Sequence, residues 1–297
     1  MNQKHEKIIK DVMSEKFDVT KHNIRIIKRL EGGMSNSNYV VKIGDNDFVF
    51  RIPGNNAEYF VSREIEEETL ALANKVGIDG DLTIEMDKET GYKISEYVEG
   101  TALFKLDPSA YYEKASEVLH KLHDAKLHAS NDYNPFGRLK TYQGYVEEKG
   151  LSHDESYFEI KNKLLKEKDW LMSFERIFCH GDAQPSNFIA TDDGELLLVD
   201  WEFGGNNDPL YDLACYGNND FKYAEGILPV YLGRKPNQDE WRRLYLWRTF
   251  QCLQWHNVAM FKEATGLSEE LNLDFKAIAD QYITKANTMY EKALKHN

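Results

Sequence analysis

The stretch that decides the fold is His180-Gly181-Asp182-Ala183-Gln184-Pro185-Ser186-Asn187, read together with the fifteen or so residues after it. Residues 188–190 are β-rich, Asp192-Asp193-Gly194 is a turn, residues 196–199 are β-rich again, and Asp200-Trp201-Glu202 comes next. Moving a phosphoryl group takes a carboxylate that orients an attacking hydroxyl and accepts its proton. It also takes an amide and a second carboxylate that hold Mg²⁺ on nucleotide phosphates. Asp182, Asn187 five residues later, and Asp200 beyond a strand, a turn and a strand supply these groups in that order. The spacing predicts three polar groups on two adjacent loops, where one metal-nucleotide touches all of them. An H-x-D-x-x-x-x-N string alone is weak evidence, since a polar turn with a capping Asp has the same letters. The strand, turn, strand and Asp beyond it make the pattern specific.

Working outward, the N-terminal side supplies what such a site needs. Residues 4–17 have helical spacing of Ile8, Ile9, Val12, Met13 and Phe17. The period then changes. Residues 24–30, 39–43 and 48–52 read as three antiparallel strands, 57–76 as a helix stopped by Gly77, and 83–86 with 92–98 as a further hairpin. Between the first two strands lies Glu31-Gly32-Gly33-Met34-Ser35-Asn36-Ser37-Asn38, whose small residues let backbone N–H groups approach phosphate oxygens. Ser35 and Asn36 are its candidate nucleotide contacts, although an ordinary Gly-rich turn reads the same way. Arg51 ends the apolar run Phe48-Val49-Phe50 where a buried strand would carry an apolar residue, and Glu64, Glu66, Glu67 and Glu68 on the next helix include a candidate partner for it. Most of these glutamates read as a solvated face.

Past residue 97 the chain turns helical, with helical periodicity over 108–128, 156–175, 209–232 in pieces, 238–265 and 273–294. Residues 129–155 carry the weakest signal. The expectation is an α+β, bilobal, protein-kinase-like fold with a small β-rich lobe over 1–97 and a larger helical lobe over 98–297. The length of 297 residues agrees with two lobes, and 41% hydrophobic residues can fill their cores. A net charge of −13 disfavours nonspecific binding to nucleic acid, and no apolar run is long enough to span a bilayer. Cys179, Cys215 and Cys252 are odd in number, widely spaced and without a C-x-x-C, and the N-terminus lacks an apolar signal core. A soluble, cytoplasmic protein is expected.

The chain resembles the choline/ethanolamine kinase family, in particular its bacterial choline kinase branch, within the aminoglycoside-phosphotransferase-like kinase fold. The resemblance covers most of the chain. It is carried by residues 179–189, by Leu198-Val199-Asp200-Trp201-Glu202-Phe203, and by Asn207-Asp208-Pro209-Leu210-Tyr211-Asp212-Leu213-Ala214. Gly32-Gly33-Met34-Ser35-Asn36, the R-x-x-E of Arg63 and Glu66, Tyr97-Val98-Glu99-Gly100 and Trp255 match as well. The resemblance implies Asp182 as catalytic base, Asn187 and Asp200 as Mg²⁺ ligands, Arg51 as phosphate-facing cation with Glu66 as its partner, and a hinge from Glu96 to Val98 whose backbone meets adenine. Asp212 would brace the catalytic loop. Phe203 and Trp255 match aromatic positions of the acceptor pocket, with Phe275 and Tyr282 as weaker candidates and Glu202 or Asp220 as the carboxylate facing a cation. Three features depart from the pattern: Arg51 replaces the lysine of protein kinases, though the resembled family tolerates Arg there, Ala183-Gln184 differ from the bulky apolar residue common after the Asp, and Val258 stands where a second pocket aromatic often lies.

Two other clusters compete for attention. His120, His123 and His128 sit near one another in sequence, but no Cys or carboxylate at ligand spacing completes a zinc site, and the neighbouring leucines make that helix a packing element. Tyr245, Trp247, Phe250, Trp255 and Phe261 recur at helical spacing and read mostly as core, although an aromatic wall is also what a quaternary ammonium needs. The expected activity is transfer of the γ-phosphate of ATP, with Mg²⁺, to the hydroxyl of choline as small-molecule partner. Ethanolamine or an aminoglycoside is the alternative acceptor, and a nucleotide-binding pseudokinase regulator is the alternative of another class.

Overall fold

Helix α1 (Gln3–Phe17) opens the chain, and strands β1 (Ile24–Arg29), β2 (Asn36–Ile43) and β3 (Asn46–Pro53) come after it. Helix α2 (Arg63–Lys75) precedes β4 (Thr83–Met86), β5 (Lys93–Glu96) and β6 (Gly100–Ala102). Four helices come next: α3 (Tyr112–His123), α4 (Pro135–Glu148), α5 (Glu155–Lys166) and the short α6 (Lys168–Leu171). Strands β7 (Ile177–Cys179), β8 (Phe188–Thr191), β9 (Leu196–Leu198) and β10 (Gly205–Asn207) lead into α7 (Leu210–Tyr216), α8 (Lys222–Leu232), α9 (Gln238–Ala264), α10 (Leu267–Leu271) and α11 (Phe275–Leu294). The computed structural model describes residues 2–31, 36–78 and 82–296. Ser35 and the glycines before it lie outside the described residues.

The chain forms two compact units that are discontinuous in sequence: unit 1 is 1–106 with 186–202, and unit 2 is 107–185 with 203–297. The sequence pattern leads one to expect two consecutive blocks parting at residue 97. The difference has a local cause, because β6 pairs with β8 and β8 with β9, which ties 186–202 to unit 1. Gly100 makes that pairing possible, since a Cβ there would stand 2.6 Å from the Ala190 carbonyl oxygen.

In unit 1 the antiparallel order is β1-β2-β3-β5-β4. Period-two alternation sends Phe48, Phe50 and Ile52 of β3 to one face, where Ile9 and Met13 of α1 cover them together with Val41 and Ile94. Each large side chain so buried contributes roughly 1.5–3 kcal/mol. Arg51 necessarily faces the other way. The helix expected over 57–76 is split into a 3-10 turn, Ala57–Tyr59, and α2, because Ser62 accepts the Ile65 N–H and starts a new N-terminus.

Unit 2 is built around α9, 27 residues long and started by a capping box in which Asn237 and Glu240 exchange hydrogen bonds. Trp247, Phe250, Leu253 and Phe261 of α9 are buried, as expected of most of its aromatics. The weakly patterned stretch 129–155 contains α4, whose start is set by Pro135 in its first turn and by Asn134, which accepts the Gly137 N–H.

Candidate active site

Unit 1 holds a cavity of about 330 Å³ lined by Arg51, Lys93, Glu96, Val98, Asn187 and Asp200 among others. Antiparallel register brings Arg51 of β3 opposite Lys93 of β5, and alternation puts Lys93 and Ser95 on the cavity face. Arg51 is buried and donates twice to Glu66 of α2, from Nη1 to Oε1 and from Nη2 to Oε2, the latter at 2.9 Å. Glu66 also accepts from Arg63 Nη1 at 2.8 Å and from Lys93 Nζ at 3.4 Å. Of the four glutamates on this helix, the structure therefore selects Glu66. Burial alone would disfavour its charge, but the Arg51 hydrogen bond and the Lys93 and Arg63 charges outweigh it and hold the carboxyl at about 2. Burial likewise opposes the Arg51 charge, and Glu66 raises the guanidinium's pKa above its ordinary value.

Asp200 Oδ1 stands 3.9 Å from Arg51 Nη1, and the Asp200 side chain is 34% exposed. Its φ of 73° is a left-handed conformation that costs a non-glycine residue on the order of 1 kcal/mol. Asn187 and Asp200 both face the cavity, and Val199 N–H donates to the Asn187 carbonyl at 2.9 Å. An amide oxygen and a carboxylate on one wall form an oxygen donor set of the kind Mg²⁺ takes alongside phosphate oxygens. The residues present fit that ion.

Two expected site residues join this charged cluster. Asn36 opens β2, and its side-chain amide donates to Glu202 Oε2 at 3.1 Å, so this group is engaged with a carboxylate. Glu202, expected to face an acceptor cation, is buried 3.6 Å from Arg51 and 3.6 Å from Arg63 in the same charged cluster. Burial, and then the neighbouring Asp200 charge, raise its carboxyl to about 7. Lys93 is a member of the cluster that sequence reasoning does not find. Its signal is a lysine at the start of a short strand, but its pairing with Arg51 depends on register.

In unit 2, β7 leads straight into His180, and the loop after it is braced from beneath. Asp212 accepts His180 N–H at 2.8 Å and Gly181 N–H at 2.9 Å, and Asp182 N–H donates to His180 Nδ1 at 3.1 Å. His123 Nε2 donates to Asp212 at 3.1 Å. Gly181 has φ of 80°, and a Cβ on it would meet the Phe203 carbonyl oxygen at 2.2 Å, so only glycine fits this turn. Of the three histidines weighed for zinc, only His123 joins a group of three possible ligands among the described residues, with Cys179 and Asp212, and both Asp212 oxygens already hold the loop. Phe203 and the partly exposed Trp255 meet edge to face, ring centroids 6.2 Å apart at 76°. Phe275, expected at the acceptor, is a core residue, 1% exposed with the Lys262 ammonium 5.5 Å from its ring centroid. Val258 is buried.

An antiparallel sheet with a cation–carboxylate pair under a cavity, in one chain with a helical unit carrying a braced H-x-D loop, is the architecture of a small-molecule kinase. The chain belongs to the phosphotransferase enzyme family, whose sequence profile matches residues 26–247. It is 28% identical over 254 residues to protein LicA of Haemophilus influenzae, covering 79% of this chain and 73% of that one. Among solved structures it resembles choline kinase LicA from Streptococcus pneumoniae, with TM-score 0.78 and 24% identity over 97% of this chain and 100% of that one. It also resembles LicA in complex with AMP, with TM-score 0.77 and 23% identity over the whole of both chains.

Proposed function

We propose that this kinase transfers the γ-phosphate of ATP to the hydroxyl of choline, giving phosphocholine and ADP. The observation that carries the nucleotide half is the unit 1 cavity, where residues Glu96 to Val98, Arg51 held from behind by Glu66, and the Asn187–Asp200 donor set line one space. Its likeness to the AMP complex of LicA supports the same reading. Arg51 meets phosphate oxygens, Glu66 orients it, and Asn187 and Asp200 are the residues that would hold Mg²⁺. When bound, Mg²⁺ neutralises charge on the phosphate oxygens during transfer. Asp182 accepts the hydroxyl proton as the acceptor oxygen attacks phosphorus and ADP leaves.

Choline as acceptor is supported by the Phe203–Trp255 aromatic pair in unit 2 and by the likeness to the pneumococcal choline kinase. A trimethylammonium group donates no hydrogen bonds and is held by aromatic faces, whereas a primary ammonium asks for hydrogen-bond acceptors. No described helix is long and apolar enough to cross a membrane. Cys179, Cys215 and Cys252 are free, buried thiols, which supports a reducing cytoplasm as the place of action. The test is Mg²⁺-dependent ADP release with choline, ethanolamine and an aminoglycoside as acceptors. The reading expects the highest kcat/KM with choline. A preference for either other acceptor removes choline and leaves the kinase, and ATP binding without turnover of any acceptor marks a pseudokinase.

A further inference from the structure

Helix α9 carries a guanidinium with no carboxylate in salt-bridge contact among the described residues. Arg248 is 3% exposed, and its hydrogen-bond partners are neutral: Nη1 donates to Asn218 Oδ1 at 3.1 Å and to Gln251 Oε1 at 3.2 Å, and Nη2 donates to the Asn218 carbonyl at 2.9 Å. A buried charge without an opposite charge is expensive, so where its field is answered is a physical question. The hydrogen bonds lead to the answer. Asn218 Nδ2 donates to Gln184 Oε1 at 2.5 Å, and Gln184 Nε2 donates to Asp182 Oδ2 at 2.8 Å.

Both amides in this row point the same way. Each turns its carbonyl oxygen toward the guanidinium and its NH₂ toward the carboxylate, the sense in which a cation at one end and an anion at the other polarise a row of dipoles. The row lies entirely within unit 2. It starts from one of the two residues, Ala183 and Gln184, that depart from the bulky apolar pattern after the H-x-D aspartate. Ala183 is fully buried, while Gln184 spends its polar side chain on the row.

We propose that Gln184 and Asn218, polarised by the buried Arg248, are positioning residues that hold the Asp182 carboxylate in one orientation through its Oδ2. The inference deepens the reading of Asp182 as the base and rests on it. A carboxylate that must accept a proton from a weakly acidic hydroxyl gains from being held in place before the acceptor arrives, because reorientation then costs nothing during transfer. None of the three side chains is asked to touch nucleotide or acceptor.

The experiment is a set of double-mutant cycles on the full chain, read by steady-state kinetics with ATP, Mg²⁺ and whichever of choline, ethanolamine or aminoglycoside the parent phosphorylates fastest. Gln184→Met, close to Gln in shape, and Asn218→Ala cut the row at its two amides. Each should lower kcat by about tenfold, the lower part of what a positioned base supplies, and leave the KM for ATP within about twofold. Together they should cost no more than either alone. In an Asp182→Asn background the same substitutions should change kcat by less than about twofold, since the group they hold is gone. Arg248→Lys should keep more of kcat than Arg248→Met, and if Arg248→Met does not fold, the two amide variants still decide. Equal losses from Gln184→Met in both backgrounds would show a general packing role and overturn the inference. So would a parent-like kcat in Gln184→Met and Asn218→Ala while Asp182→Asn loses about a hundredfold, although the base reading would then stand. Parent-like turnover by Asp182→Asn itself would remove the base reading, and the inference with it.

Discussion

Arg51 and Glu66 face each other from β3 and α2 through two parallel hydrogen bonds, 3% and 0% exposed, with Lys93 and Arg63 on the same carboxylate. A carboxylate that serves three cations is more than a surface pair needs, and its depressed pKa of about 2 keeps it charged throughout the physiological range. The pair is a rigid mount for the guanidinium.

Arg51→Met should therefore raise the KM for ATP by about tenfold or more, with the KM for the acceptor nearly unchanged, since a charge-assisted hydrogen bond is worth about 1.5–3 kcal/mol. Arg51→Lys should recover part of this, because a point charge lacks the fork that meets Glu66 at two oxygens. Breaking a buried pair also costs roughly 3–5 kcal/mol of stability. Melting curves and an ATP titration should therefore be run on the same samples. Loss of acceptor affinity alone would move Arg51 out of the nucleotide site.

Asp200→Ala should abolish Mg²⁺-dependent turnover, and Asn187→Ala should weaken it less, because a carboxylate holds the hard divalent ion more strongly than an amide oxygen. Release of the left-handed backbone at Asp200 on substitution by Gly should not rescue activity, although it relieves strain of on the order of 1 kcal/mol. Metal titrations of initial rate read both effects, and unchanged Mg²⁺ dependence in both alanine variants would contradict the assignment.

Trp255→Ala should erode the preference for choline over ethanolamine without altering ATP affinity. The expected loss is about 0.5–2 kcal/mol of discrimination, the worth of one cation–π contact. Val258 is aliphatic and buried and Phe275 is 1% exposed, so the proposed selection rests on Phe203, Trp255 and the half-buried Tyr282. A drop in stability together with both affinities would make Trp255 a core residue only.

His153 predicts the acid limb of stability. Its ring stacks on Tyr157 with centroids 4.2 Å apart, and His256, whose Nδ1 donates to the Ala279 carbonyl, receives the His153 Nδ1–H at Nε2, 3.1 Å away. Burial, then the nearby His256 and Lys161, lower the His153 pKa from 6.5 to about 4. In this window the unfolded chain binds the proton first, so the contribution is present above pH 6.5 and is lost as pH falls toward 4. Melting temperature should decline across that window in the parent and decline less steeply in His153→Gln. Parallel declines would show that other groups set the acid limit.

Much of the fold was legible because its signals are local. Strand alternation, helical period and turn residues report on neighbours a few positions apart, and they placed the β-rich sheet, the long α9 and the strand-turn-strand after the H-x-D loop close to where they lie. The candidate loop was readable for the same reason: Asp182, Asn187 and Asp200 share one short stretch of chain, and residue type and spacing carry the chemistry. The weak stretch 129–155 hid α4, whose start depends on Asn134 in a positive-φ conformation that no apolar period announces.

What the chain could not show by itself is which distant residues meet. That Lys93 joins Arg51 comes from the β3–β5 register, which a one-residue slip would reverse, sending Lys93 to the opposite face. Glu202 lies against Arg51 and Arg63 because β6–β8 pairing draws 186–202 into unit 1, while Phe203 belongs to unit 2. Phe275 is a core residue because α11 lies along α9, and Gln184 reaches Arg248 through Asn218, far along the chain from it. Spacing and residue type thus determined the chemistry this protein can attempt. Strand register and helix packing, which act over separations that no local period encodes, decided which side chains hold that chemistry in place.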